Sequence, residues 1–410
     1  TTNAPVTVNY IATATTSGGA SCPGATSTYS VVVNPLPVVT ATPIVQTICS
    51  NTITAIALSS PVTGATFSWT FTSSGSITGA SNNTGNDIAQ TLVNSSASIQ
   101  TVTYTITPTY TNKGVTCTGN PISVVITVNP EPSATNTPLT QSICSGATTQ
   151  LVTLTSLVAG ASFSWTAIGT NGITGYSGIG THTIPAEVLA NSTFSDGTVT
   201  YVIIPSANNC KGPSVNYITT VHPVATVNNP ALSQTICSGD ANISVTLTSN
   251  VPGANFTWTA AASTGISGFL PSGTNTIPAQ TITNSTSLIG TVTYLITPAF
   301  SGCAGTQTSY KIDVNPSPQL QFSAPDQTIC SNTLSAPITI TSTTTGVNIT
   351  WKCTPPAGIS GAATSGTTTI PVQTLVNSTN APITVSYIAV AATTGNATCL
   401  GAATTYNIIV

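Results

Sequence analysis

Residues 141–146 read QSICSG, and the same phrase returns as QTICSN at 46–51, QTICSG at 234–239 and QTICSN at 327–332. The cysteine stands between an apolar residue and a turn-forming Ser-Gly or Ser-Asn, so it marks the end of an extended segment. Three further marks keep step with it. A tryptophan falls at Trp69, Trp165, Trp258 and Trp351, a linker proline at Pro35, Pro130, Pro223 and Pro316, and a second cysteine at Cys22, Cys117, Cys210, Cys303 and Cys399. The steps are about 93 to 96 residues throughout, a tandem array whose period is too long for a solenoid and right for a small β-sandwich.

The third copy shows the pattern inside one period. Ile243, Val245 and Leu247 alternate with Asn242, Ser244 and Thr246; Phe256 and Trp258 alternate with Asn255, Thr257 and Thr259; Val292, Tyr294 and Ile296 alternate with Thr291 and Thr293. A period of two predicts strands with one buried face. Turn-rich stretches such as SNVPGA (249–254) and FSGCAGTQ (300–307) separate them, giving about seven strands per repeat and no helix. The predicted repeats are 38–128, 133–221, 226–314 and 319–410, with 1–33 the closing strands of a partial fifth. Joints of the type NPLP, NPEP and NPSP connect them, with HP in place of NP at 222–223. Proline stiffens so short a joint.

Composition narrows the function. Among 410 residues there are four Lys and Arg together, seven Asp and Glu and two His, so 3% is charged where about 25% is usual. Lys113, Lys211, Lys311 and Lys352 are too few and scattered to displace the counterions of a nucleic acid. No apolar run approaches the ~20 residues of a membrane span. Abundant Thr and Val and the absence of Met favour strands, and the regular Val, Ile, Trp and Tyr positions argue against a disordered Thr/Ser/Asn chain. Ten cysteines without a CxxC pair fit disulfides in an oxidising compartment better than zinc, which predicts export. No signal peptide stands at Thr1, and a chain that opens inside a domain is read as a piece of something longer.

No recurring chemistry accompanies the repeat. His182 and His222 have no counterparts in other copies. Asp87, Glu131, Glu187, Asp196, Asp240, Asp313 and Asp326 never cluster as a calcium-binding run, and no GxSxG elbow stands with a histidine and an acid. The expectation is no catalytic residue, no metal and no cofactor. Sequons recur at Asn94, Asn191, Asn284 and Asn377 and are read as turn residues first and glycan sites second. Lysine–asparagine crosslinks would need a lysine at one fixed position per repeat, and the four lysines share none.

A Trp on the third strand and a Tyr on the sixth (Tyr104, Tyr201, Tyr294, Tyr387, in TVTYTI, TVTYVI, TVTYLI and TVSYIA) resemble an immunoglobulin-like sandwich, with both aromatics in its core. With ICSG closing the first strand, FSWT on the third, TVTYTITP on the sixth, a cysteine in the next loop and a closing VNP, the whole chain resembles the PKD-like and Ig-like repeats of very large Bacteroidetes surface proteins, including gliding adhesins exported by the type IX route. The resemblance implies an all-β tandem array forming an elongated rod at the cell surface. Such repeats usually serve as spacers, and the sorting domain expected at the end of those proteins is absent here.

Three periodic cysteine pairings are open: Cys117 with Cys144, 27 residues apart; Cys144 with Cys210 inside one repeat; or Cys49 with Cys210 in the next repeat. In a sandwich, the turn after strand one and the loop after strand six lie at opposite poles, roughly 35 Å apart for strands of 10 to 12 residues, whereas bonded cysteines need Cα atoms within ~7 Å. That favours Cys49–Cys210, Cys144–Cys303 and Cys237–Cys399, with Cys22, Cys117 and Cys330 left to partners outside this stretch. Pairing within a repeat stays open should the first strand be displaced, and free thiols are the third possibility. Cys353, two residues past Trp351, reads as a buried free thiol, with a Cys330–Cys353 bond as the alternative.

The function expected is therefore structural: a stalk or filament segment of an exported adhesin, with further copies of the same repeat, and lateral association of chains, as its partners. The competing function is an array of carbohydrate-binding modules. Burial of the four tryptophans discriminates between them.

Overall fold

The computed structural model describes residues 2–395 and 397–410, and every regular element among them is a β-strand. The chain falls into two compact units: Thr1–Ser142, Gly146–Ala190 and Thr198–Thr220 form the first, and Ile143–Ser145, Asn191–Gly197 and Val221–Val410 the second.

In the first unit, the strands from Thr40 to Asn129 form a two-sheet sandwich. One sheet runs in the order Val45–Cys49, Ile122–Asn129, Gln100–Asn112, Thr66–Ser73, Asn83–Thr84, with Val115–Thr118 folded back on Gln100–Asn112. The opposing layer is made of shorter pieces. Thr40–Thr42 pairs Ile56–Ser59, which pairs Asp87–Ile88, and Thr91–Asn94 lies between Thr52–Ile53 and Ile77–Thr78. Successive segments of chain build these layers, the first course running from Thr40 to Cys49. The first course changes layer at Pro43, where a residue without N–H cannot continue the ladder. It then runs parallel to Ile122–Asn129, which places Cys49 opposite Asn129.

Period-two patterning decides the core. Along Gln100–Asn112, Val102, Tyr104 and Ile106 are buried while Thr101, Thr103 and Thr105 point outward. They meet Phe67, Trp69, Ile56, Ile88, Leu92 and Ile126 in one continuous cluster. In the same unit, Ser162–Gly169 pairs antiparallel with residues 199–206 and with Ile179–Thr181, placing Trp165 opposite Ile203 on one side and Gly180 on the other.

In the second unit, one sheet runs Ser233–Cys237, Thr308–Asn315, Gly290–Phe300, Asn255–Ala262, Ser272–Thr274, and another Gln327–Thr328, Thr404–Ile409, Thr384–Thr393, Val347–Cys353, Ser365–Gly366. Each encloses its own apolar cluster, around Trp258 and Tyr294 in one and Trp351 and Tyr387 in the other.

One expected strand is different. Ile243 was to share a buried face with Val245 and Leu247, yet it is exposed and its neighbour Asn242 is buried. The Asn242 side chain donates to the carbonyls of Ile243 and Pro278 and accepts from the Gln280 amide. Satisfying that buried polar group turns the backbone locally, so alternation restarts only at Val245–Thr246.

The hairpin Val6–Thr15 with Pro23–Val33 stands alone as a two-stranded sheet. Tyr10 and Tyr29, opposite each other, are 60% and 71% exposed, whereas Tyr387 and Tyr406, the matching pair in the last repeat, are fully buried.

Candidate functional site at the joints between repeats

The tryptophans are at the centre of the repeats. Trp69, Trp165, Trp258 and Trp351 are 2–4% exposed, and the last three stand edge-on to Tyr201, Tyr294 and Tyr387 at 5.3–5.5 Å. Each indole N–H donates to a backbone carbonyl, of Ser81, Thr183, Thr276 and Thr369 respectively. Trp165, Trp258 and Trp351 each lie on a cross-strand glycine, where a Cβ would stand 2.2–2.4 Å from the ring. No flat aromatic surface faces solvent at these positions. Burial pushes the hydroxyls of Tyr104, Tyr201 and Tyr387 up to about 12.

What recurs with chemical meaning is at the joints. In the first unit Cys49 is bonded to Cys210, with Cα atoms 5.6 Å apart. In the second unit Cys144, carried by the segment Ile143–Ser145, is bonded to Cys303, and Cys237 to Cys399. Each bond joins the end of a first strand to the hairpin that follows the sixth strand of the next repeat. Cys22, Cys117, Cys330 and Cys353 are thiols; Cys22 and Cys330 are exposed, Cys117 is half-buried and Cys353 is buried, its thiol pushed up by desolvation.

Two further features of the joint escaped the sequence reading. A glycine follows every second cysteine at the next-but-one position, and at Gly119, Gly212, Gly305 and Gly401 an added Cβ would lie 1.7–2.2 Å from the carbonyl oxygen of Pro37, Pro132, Ala225 and Pro318. The linker backbone thus rests directly on the hairpin of the repeat it enters, a contact only glycine permits. The Cys-x-Gly spacing, present also at Cys22-Pro23-Gly24, was the available signal. The linker asparagine adds a hydrogen bond to the same hairpin: Asn129 Nδ2 donates to the Asn208 carbonyl at 3.1 Å, Asn315 Nδ2 to the Ala397 carbonyl at 3.2 Å, and Asn34 Oδ1 accepts from Asn112 Nδ2 at 2.9 Å. His222 replaces this asparagine once. Its Nδ1 lies 2.7 Å from Asp196 Oδ1 and its ring packs edge-on to Phe300.

The recurring sequon asparagines are internal ties. Asn94 Nδ2 donates to the carbonyls of Ser98 and Val128, Asn191 Nδ2 to those of Ser195 and Val221, Asn284 Nδ2 to those of Leu288 and Val314, and Asn377 Nδ2 to those of Ala381 and Val410. Both amide hydrogens are committed, so each side chain pins the loop before the sixth strand to the last strand.

Among the described residues no group of three His, Cys, Asp or Glu is placed to hold a metal ion. The cleft beside the 315–318 linker, of about 280 Å³, is lined by Leu288, Ile289, Asn315, Pro316, Thr344 and other uncharged residues. No helix of the described residues is long and apolar enough to cross a membrane.

No curated protein matches the chain. Among solved structures, the ICAM-5 D1–D4 ectodomain fragment is 14% identical, over 90% of this chain and 98% of that one, with a TM-score of 0.32. Sidekick-1 immunoglobulin domains 1–5 are 12% identical over 99% and 94%, with a TM-score of 0.27. The protocadherin GammaB4 extracellular domain is 10% identical over 98% and 72%, with a TM-score of 0.25. The model of the PKD-like domain matches four times, at residues 46–132, 141–225, 234–318 and 327–410, and the chain, with its four repeated sandwiches, belongs to the PKD-like domain family.

Proposed function

We propose that this chain is a load-bearing stalk segment of a large exported bacterial surface adhesin, holding an adhesive region away from the cell. The observation that carries the reading is that all three disulfides, with a linker hydrogen bond and a glycine contact, are placed at the joints. Such joints suit a part whose task is to hold repeats in register. Three disulfides fit an oxidising, extracellular setting. Buried tryptophans deprive the competing carbohydrate-binding array of a stacking platform.

The stalk comprises repeats 38–128, 133–221, 226–314 and 319–410. The hairpin within 1–33 is the end of another repeat, because its exposed Tyr10 and Tyr29 match the buried Tyr387 and Tyr406. Further copies of the repeat in a longer chain are its partners, with Cys22, Cys117 and Cys330 as their attachment points.

The test is a replacement in the full surface protein. Exchanging residues 38–410 for four unrelated β-sandwich domains is expected to preserve attachment of cells to their target, and deleting them outright to weaken it. Loss of attachment on exchange, or saturable binding of the isolated chain on a glycan array, would overturn the reading.

A further inference from the structure

Each second cysteine is followed 27 residues later by a first cysteine: Cys22 by Cys49, Cys117 by Cys144, Cys210 by Cys237, Cys303 by Cys330. Each such strap contains a linker, with the last strand of one repeat before it and the first strand of the next after it, as Ile122–Asn129 and Thr140–Cys144 between Cys117 and Cys144. The disulfides connect straps that are not consecutive. One continuous covalent line reads Cys22 to Cys49, across to Cys210, along to Cys237, across to Cys399. A second reads Cys117 to Cys144, across to Cys303, along to Cys330. The thiols Cys22, Cys117 and Cys330 are ends of these two lines. At every joint crossed by a disulfide, one line passes as a strap and the other as the bond.

We propose that these are two interleaved covalent load tracks, which carry tension from strap to strap so that, while the bonds are intact, a repeat can lengthen only by the slack of its straps. The proposal deepens the load-bearing reading above and rests on it. The closed loops span separations of 161, 159 and 162 residues and overlap, so every residue between Cys49 and Cys399 lies inside at least one. A 27-residue strap reaches at most roughly 95 Å when fully extended, whereas the 161 residues bypassed by Cys49–Cys210 would reach roughly 560 Å. Force accelerates unfolding only through the work it does as the molecule lengthens. A repeat confined to the short reach of its straps gains little such acceleration.

The measurement is the extension limit of the chain, held by its two ends in magnetic tweezers. The shortest covalent route from Thr1 to Val410 runs through Cys49–Cys210 and Cys237–Cys399 and is about 86 residue steps, roughly 300 Å. Reduction with dithiothreitol, which is itself oxidised to its cyclic disulfide, is expected to raise the limit to roughly 1,400 Å. The two tracks then make unequal predictions. Replacing Cys144 and Cys303 by Ser leaves the shortest route untouched, so the oxidised limit stays at roughly 300 Å. Replacing Cys49 and Cys210 by Ser leaves a shortest route of about 220 steps, roughly 750 Å. Equal lengthening in both variants, or release of whole repeats by the oxidised wild-type chain, would overturn the proposal. The limit depends on covalent connectivity alone, so it is read even if a variant repeat unfolds, and a failed domain exchange on cells leaves it unchanged.

Discussion

Replacing Trp258 by Ala removes the largest side chain from the core of residues 226–314. A buried tryptophan covers roughly 150–250 Å², worth about 4–6 kcal/mol at 25 cal/mol/Å², a figure reduced by the methyl that remains and by burial already present in the unfolded chain. The edge-on contact with Tyr294 at 5.3 Å adds about 1 kcal/mol. The carbonyl of Thr276, which accepts the indole N–H, loses its partner at a cost of about 1 kcal/mol. The net loss is about 4 kcal/mol, within the range for such truncations. A repeat of some 90 residues holds only roughly 5–13 kcal/mol, so about a third or more of its stability disappears. Hydrogen–deuterium exchange resolved by peptide is the assay, because the apolar cluster around Trp258 is separate from those around Trp69 and Trp351. Protection in 290–300 and 308–315 is expected to fall about a thousandfold, with 100–112 unchanged. Trp258→Phe keeps most of the apolar area and is expected to cost about 1–2 kcal/mol. A loss below ~1 kcal/mol for the Ala variant, or a loss spread evenly over the chain, would refute the reasoning.

Gly305→Ala puts a Cβ 1.8 Å from the Ala225 carbonyl, so the linker must shift; the Cys144–Cys303 bond beside it is expected to reduce faster in a dithiothreitol titration, while Gly178→Ala, with open space around it, changes nothing. Asn284→Ala strips a hydrogen bond from the carbonyl of exposed Leu288 and from that of buried Val314 and is expected to cost about 1–3 kcal/mol by urea denaturation, and mass spectrometry of the folded wild-type protein is expected to find Asn284 without glycan. Burial raises the hydroxyls of Tyr104, Tyr201 and Tyr387 from 10 to about 12, so the stabilisation linked to keeping them neutral is complete below pH 10 and is lost as pH rises through 12. Circular dichroism is accordingly expected to hold steady to about pH 10 and to collapse towards pH 12 together with tyrosinate absorbance; collapse well below pH 10 would exclude the tyrosines as its cause.

The period of about 93 residues, the strand alternation and the phase of Trp258 with Phe256 are all local, because a residue's face in a strand depends only on its parity. They were enough to read an all-β array of sandwiches with no helix, and to limit the cysteines to a few periodic pairings. Parity failed at Asn242, where a side chain's hydrogen bonds with Pro278 and Gln280 outweighed the pattern, and those partners lie more than thirty residues away. The joint was illegible for the same reason. Gly212 is constrained by the carbonyl of Pro132, Asn129 by that of Asn208, and Asn94 by the last strand of its sandwich. Each of these residues taken alone reads as an ordinary turn former. Which cysteine meets which is a matter of where two poles lie in space: a bond across about 160 residues has no local signature, the reach of the strands favoured Cys49 with Cys210 but left pairing within a repeat open, and the tertiary placement of the two side by side decides it.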